Sequence, residues 1–194
     1  MNLGLPKLSM KLTRRDAAAA LAALGATGGV ALGVRRETDA EGVGEADTAR
    51  DGEGLPEDET VQTVMTAVAE AVYPEAISGI DAFVDGFLAG RLDGSSHDEG
   101  IRAAVADVES AARSWYGAPV AGLPPGERDD VLRELGADTA EENPQGTTAE
   151  RVRYYVVNEL LLALYASPTG GELVGIENPQ GYAGGAESYR QGPP

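Results

Sequence analysis

The sequence has no cysteine and a single histidine, His97, and after Lys11 it has no lysine. The first absence removes disulfides, thiolate metal sites, cysteine nucleophiles and a lipidated cysteine together. With one histidine, any Ser/His/Asp arrangement must be built on His97. That residue lies in the polar run SSHDEG (residues 95–100) and reads as an exposed residue at a helix start. A phosphate loop ending in Gly-Lys-Ser/Thr has no lysine to use in the body of the chain. Aromatic residues are few, with seven tyrosines, two phenylalanines and one tryptophan, so each can be weighed singly.

Positive charge is also scarce, and unevenly placed. Up to Arg36 six basic residues stand against one acid, Asp16; from Glu37 onward nine arginines face thirty-one acids, a net of −22 within the overall −17. Nucleic-acid binding releases counterions from phosphates through basic surface, so no nucleic-acid partner is expected. Self-repulsion of this size strains a fold in dilute buffer and is screened in concentrated salt, where the Debye length is about 3 Å at 1 M. The lysine-free, acid-rich, Ala- and Gly-rich composition reads as a salt-adapted protein of an extreme halophile. An acidic interaction protein of ordinary habitat is the alternative.

What is present begins with an address. Thr13-Arg14-Arg15-Asp16 runs into an apolar stretch of Ala, Leu, Gly and Val at residues 17–34, closed by Arg35-Arg36. A basic region before a short apolar one has the layout of an export signal. The adjacent Arg14 and Arg15 point to the twin-arginine route and its translocase, which carries folded cargo. Ala17 stands where a large apolar residue is usual, and no A-x-A site follows, so residues 1–36 are a signal or a retained weak anchor. A buried helix is the structural alternative. Residues 37–58 have few large apolar groups and many acids and glycines, and are expected to be a disordered linker.

Helical spacing starts near Glu59. Val61, Val64, Met65, Val68 and Val72 recur every three or four residues until Tyr73-Pro74 stops the run. Phe83, Val84, Phe87 and Leu88 mark a second helix, in which Gly86 and Gly90 cost helix stability. Ile101, Val105, Val108, Ala112 and Trp115 mark a third, and Pro125 opens a fourth. Thr148 is expected to cap a longer helix over about 149–166, the central one. The expectation is an all-α bundle of about five helices over 59–166, with an irregular Gly/Pro/Tyr-rich tail at 167–194.

No catalytic, cofactor-binding or metal-binding constellation emerges. Acids are so common that adjacent pairs mean a solvated surface, and residues 93–99 lack the alternating acids and central glycine of a calcium loop. Tyr155 reads as core, whereas Tyr154, Tyr165 and Tyr182 are candidates for a partner surface, where tyrosine is enriched.

The segment LYASPTGGELVGIENPQGYAGGAESY (residues 164–189) resembles the C-terminal signature of the gluconate 2-dehydrogenase subunit 3 family, here of a haloarchaeal type. Tyr165, Pro168, Gly170 and Gly171 match its Tyr–x–x–Pro–x–Gly turn, and Gly175, Asn178, Pro179, Gly181, Tyr182, Gly184 and Gly185 its later Gly- and Pro-rich part. AVAEAVYP with the following GIDAFVDGFL resembles the family's first helix pair, with Tyr73 in place of the commoner aliphatic residue. The resemblance implies a non-catalytic small subunit that accompanies a large flavin-dependent dehydrogenase of the glucose–methanol–choline (GMC) type. FAD would sit in that partner, and a cytochrome subunit accompanies some such complexes. It further implies that Arg14 and Arg15 export both chains together. Tyr154, Tyr165, Pro168, Gly170, Gly175, Pro179, Gly181 and Tyr182 are the expected partner contacts. A stand-alone exported scaffold or surface protein, or an exported hydrolase, are the alternatives.

Overall fold

The computed structural model describes residues 10–24 and 54–175. Most of the expected linker, and Pro179, Gly181 and Tyr182 of the tail, lie outside the described residues.

The architecture is all-α. It comprises α1 (Arg14–Ala23), α2 (Asp58–Val72), α3 (Ile80–Leu88), α4 (Ser96–Tyr116), a 3₁₀ turn (Val120–Gly122) and α5 (Pro125–Glu134). These are followed by a long helix over 148–166, and α8 (Pro168–Leu173). The long helix is interrupted: α6 (Thr148–Val152) passes through a π-helical segment (Arg153–Asn158) into α7 (Glu159–Ala166). Two short strands, β1 (Met10–Lys11) and β2 (Ile77–Ser78), pair in parallel, with Met10 opposite Ile77.

The core follows the expected spacing. Val61, Val64, Met65 and Val68 of α2 face Phe83, Phe87 and Leu88 of α3, Ile101 and Val105 of α4, and Leu160 and Leu164 of α7 in one buried cluster. Pro74 ends α2, and Pro125 stands in the first turn of α5. Trp115, expected on the apolar face, is 46% exposed. Thr147, not Thr148, caps the long helix: its hydroxyl accepts from the Glu150 N–H while the Glu150 carboxylate accepts from the Thr147 N–H, a complete capping box. The box is offset one residue from the expected cap, which places Glu150 at its third position.

At its two ends the folded unit reaches past 59–166. The twin-arginine segment shows the buried-helix arrangement: Leu12, Ala17 and Ala20 are buried in the common core, and α1 packs on α3 and α7. Thr13 starts α1 through a capping box with Asp16. The glycines of the α3 region make room for it. A Cβ at Gly86 would come within 3.2 Å of the Ala17 methyl, and one at Gly90 within 2.8 Å of a Leu21 methyl. Their cost in helix propensity is offset by close helix approach. At the other end, Pro168–Leu173 is helical where an irregular tail was expected, and packs on α7. No helix among the described residues is long and apolar enough to cross a membrane.

Candidate functional site

The turn from α7 into α8 is built by Ser-Pro-Thr-Gly-Gly. Ser167 is fully buried; its hydroxyl donates to the Leu164 carbonyl at 2.6 Å and accepts from the Gly170 N–H at 3.0 Å. One side chain therefore closes the end of α7 and opens α8, satisfying groups that each helix terminus leaves free. Pro168 takes the first helical position, where its missing N–H costs nothing. Gly170 is buried so close to α7 that a Cβ would lie 1.8 Å from the Leu164 carbonyl oxygen. Only glycine fits there.

Thr169 carries this joint to the other end of the chain. Its hydroxyl donates to Asp16 at 2.6 Å and its N–H to the same oxygen at 3.2 Å; the second Asp16 oxygen accepts from the Thr13 hydroxyl and N–H. Burial alone would raise the Asp16 pKa, but the four hydrogen bonds outweigh it and hold the carboxyl below its ordinary value. The N-terminal segment and the Tyr–x–x–Pro–x–Gly turn thus form one joint.

Three large apolar residues of this region are exposed. Leu162 and Tyr165, three residues apart on α7 and therefore neighbours on its surface, are 50% and 45% exposed, and Val174 just beyond α8 is 52% exposed. On so acidic a protein these are unusual surface residues. They lie on α7 and just beyond α8, the two helices that carry the turn.

A second feature lies earlier in the long helix. Glu159, which follows the π-helical segment, is 3% exposed. Arg91 Nε lies 2.5 Å from one of its oxygens and His97 Nε2 3.4 Å from the other. The Arg91 contact is ionic and not aligned as a hydrogen bond, leaving buried polar atoms on all three side chains without hydrogen-bond partners. Tyr154 and Tyr155 surround the imidazole, with ring centroids 6.3 and 5.4 Å away, and pack edge-on against each other at 4.8 Å. Burial, with a smaller contribution from Tyr154, raises the Tyr155 hydroxyl pKa. Gly100 admits this ring: a Cβ there would lie 2.3 Å from Tyr155 Cζ. His97 is therefore a half-buried partner of Glu159, not the exposed residue expected from its polar neighbours. A π segment beside unsatisfied buried charge is a common mark of a specialised site.

The structure distributes the expected site residues over three places. Tyr165, Pro168 and Gly170 meet at the α7–α8 turn, with Gly175 in a left-handed conformation (φ 75°) just after it. Tyr154 belongs to the His97 cluster. Arg14 and Arg15 begin α1, where Arg14 pairs with Asp85 of α3 at 2.5 Å and Arg15 is exposed. Ser167, Thr169 and Asp16 were missed. The Thr13-x-x-Asp16 spacing, a capping pattern, was the available signal for the last. Tyr73, a departure from the family's pattern, donates its buried hydroxyl to the Leu160 carbonyl at 2.8 Å and clamps the end of α2 to α7.

Open grooves also lie among the described residues. One of about 490 Å³ lies between the end of α2 and α5, bordered by Tyr73, Pro74, Glu75, Asp129 and Arg133; another, about 360 Å³, is bordered by Gln62, Thr66, Glu70 and Arg128. Among the described residues no cluster of three or more His, Asp or Glu could hold a metal ion.

No curated protein and no solved structure matches the chain. A family model, Gluconate 2-dehydrogenase subunit 3, matches residues 59–184, from the start of α2 through α8 into the tail. The match covers well over half of the chain and includes the α7–α8 turn with Thr169, the exposed pair on α7 and the tail glycines as far as Gly184. The chain belongs to the gluconate 2-dehydrogenase subunit 3 family.

Proposed function

We propose that this chain is the non-catalytic accessory subunit of an exported flavin-dependent dehydrogenase, and that its large partner is of the GMC type and acts on a sugar or alcohol. The observation that carries the reading is the family match extending through α7 and α8, with Leu162 and Tyr165 exposed on α7 and Val174 exposed just beyond α8. An accessory subunit needs an exposed anchor on a well-supported scaffold; a tyrosine such as Tyr165 is the kind of residue that carries a large share of an interface's energy, with the aliphatic neighbours supplying complementary contact. FAD belongs to the partner in this reading, and a cytochrome subunit would take its electrons where one is present. The Arg14-Arg15 pair is the export signal for the twin-arginine translocase, carrying the partner out with it. The complex would work on the outer side of the membrane or beyond it, where the small subunit stabilises the large one.

The test is affinity purification of the tagged chain from its native cells in concentrated salt, with an absorption spectrum and mass identification. A stoichiometric flavoprotein with flavin bands is the expected result. The double variant Leu162→Asp, Tyr165→Ser should lose that partner while its unfolding free energy changes by no more than about 0.5 kcal/mol, as for other surface substitutions. A colourless protein without a redox partner would overturn the reading in favour of a scaffold.

A further inference from the structure

The export-signal reading and the fold make competing demands on the same residues. Docked α1 buries the faces of Ala17 and Ala20, places Leu21 against Gly90, and ties Asp16 to Thr169 and Arg14 to Asp85. A translocase that receives the apolar run after the arginines must take up those same faces. The groove is made for this segment: glycines at 86 and 90, spaced four apart, meet Ala17 and Leu21, also four apart. The partner of Asp16 is a threonine on α8, within the family-matched region.

We propose that docking of α1 on α3, α7 and α8 and its engagement by the export machinery are mutually exclusive, so that the folded domain shields its own signal. The proposal rests on the twin-arginine reading above. A segment that is free only a fraction of the time binds its receptor with an affinity reduced by that fraction. Docking favoured tenfold therefore weakens engagement about tenfold. Docking of α1, rather than folding of the remaining helices, acts as a brake on export of the folded cargo, released by whatever displaces α1. Export of the unshielded chain is the faster process.

The absence of cysteine allows a clean measurement. Ala20→Cys places a single thiol, on a fully buried position, in the full chain. Two variants loosen the groove without altering residues 1–36: Gly86→Leu wedges α1 away while improving the helix propensity of α3, and Thr169→Val removes the hydroxyl donor to Asp16. Circular dichroism checks that the remaining helices persist. The thiol should react with a maleimide about tenfold faster in either variant, the ratio expected when one multiply bonded buried contact is lost. In pulse–chase experiments in native cells, the same variants without the reporter cysteine should be exported faster. Labelling of Ala20→Cys alone at the rate seen in urea would show that α1 is not docked, and would sink the proposal. Faster labelling with unchanged or slower export would overturn the exclusivity. The pair Arg14→Lys, Arg15→Lys tests the underlying reading. Undiminished export of that chain would remove the signal, and the proposal with it, even if labelling shows α1 docked.

Discussion

The hydroxyl of Thr169 donates at 2.6 Å to the carboxylate of Asp16, a residue 153 positions earlier, and the Thr169 N–H donates to the same oxygen. This contact makes the two ends of the described chain into one structure. Four donors on a buried carboxylate depress its pKa, so the sign of the pH effect follows. The stabilisation is fully present above the unfolded carboxylate value, about 3.9. It is lost as pH falls through the lower folded value. Asp16→Asn should cost about 2 kcal/mol near neutrality, the range for hydrogen bonds to a charged group. In urea unfolding the gap between wild type and Asp16→Asn should be constant from pH 7 to 5 and close in stronger acid. A gap that survives at pH 2 would mean that the contribution does not come from the charge.

Gly100 and Tyr155 form a comparable pair in the interior. The ring occupies the space a Cβ would take, at 2.3 Å from Cζ and 2.4 Å from an adjacent ring carbon. Gly100→Ala improves helix propensity by up to about 1 kcal/mol, while the forced displacement of a packed ring costs about 1–3 kcal/mol. The ring should win, and the variant should melt below wild type. Adding Tyr155→Val to Gly100→Ala should recover part of the loss relative to Tyr155→Val alone; thermal melts of the four chains complete the cycle.

The Arg91–Glu159 pair predicts an order of damage. Glu159 is almost wholly buried, whereas the Arg91 side chain is 19% exposed and leans on the Phe87 ring at 5.3 Å. Removing the glutamate leaves a cation that can turn outward. Removing the arginine strands an anion with only His97 beside it. Arg91→Met should therefore destabilise by about 3 kcal/mol, the usual cost of orphaning a buried charge, and Glu159→Gln by less. Chemical denaturation of both variants measures the order; equal losses, or the reverse order, would show that the two exposures do not govern the cost.

Much of this fold is written in short-range sequence. The three- and four-residue spacing of Val61, Val64, Met65 and Val68 gives α2, Tyr73-Pro74 ends it, and Pro125 opens α5, because each signal acts within a turn or two. The role of α1 was hidden for a physical reason. Residues 17–34 are apolar on all sides, and such a run suits a signal, an anchor or a buried helix alike. What separates them is the groove, whose Gly86 and Gly90 lie far along the chain and look only like weak points of their own helix. His97 was misjudged likewise: its neighbours in sequence are polar, while its partner Glu159 comes from another helix. At the candidate site the turn of Tyr165, Pro168 and Gly170 was legible as a motif. That Ser167 and Thr169 do its hydrogen bonding was not, since serine and threonine caps become specific only once their donors are in place.

The charge distribution gives the last prediction. From Glu37 onward nine arginines serve thirty-one acids, and several are already committed. Arg102 holds Asp98 at 2.7 Å and Asp58 at 2.5 Å, Arg151 holds Asp107 at 2.8 Å, and Arg128 holds Glu70 at 2.5 Å. The remaining acids repel one another. At 0.1 M salt the Debye length is about 10 Å, long enough for neighbouring carboxylates to interact; at 1 M it is about 3 Å and they do not. Adding salt also weakens the exposed ion pairs, but each of these contributes at most about 1 kcal/mol. The net of −22 from Glu37 onward therefore decides the sign. Thermal midpoints should rise with potassium chloride, most steeply below about 1 M, where the screening length changes fastest. An equally viscous sucrose series separates screening from general exclusion of solute, because sucrose stabilises without screening. Neutralising exposed acids that pair with no arginine among the described residues, such as Glu141→Gln and Glu75→Gln, should raise the midpoint at low salt and flatten its salt dependence. A midpoint indifferent to potassium chloride would mean that the acids are spaced widely enough to coexist in dilute buffer, and the salt-adapted reading of the composition would fall.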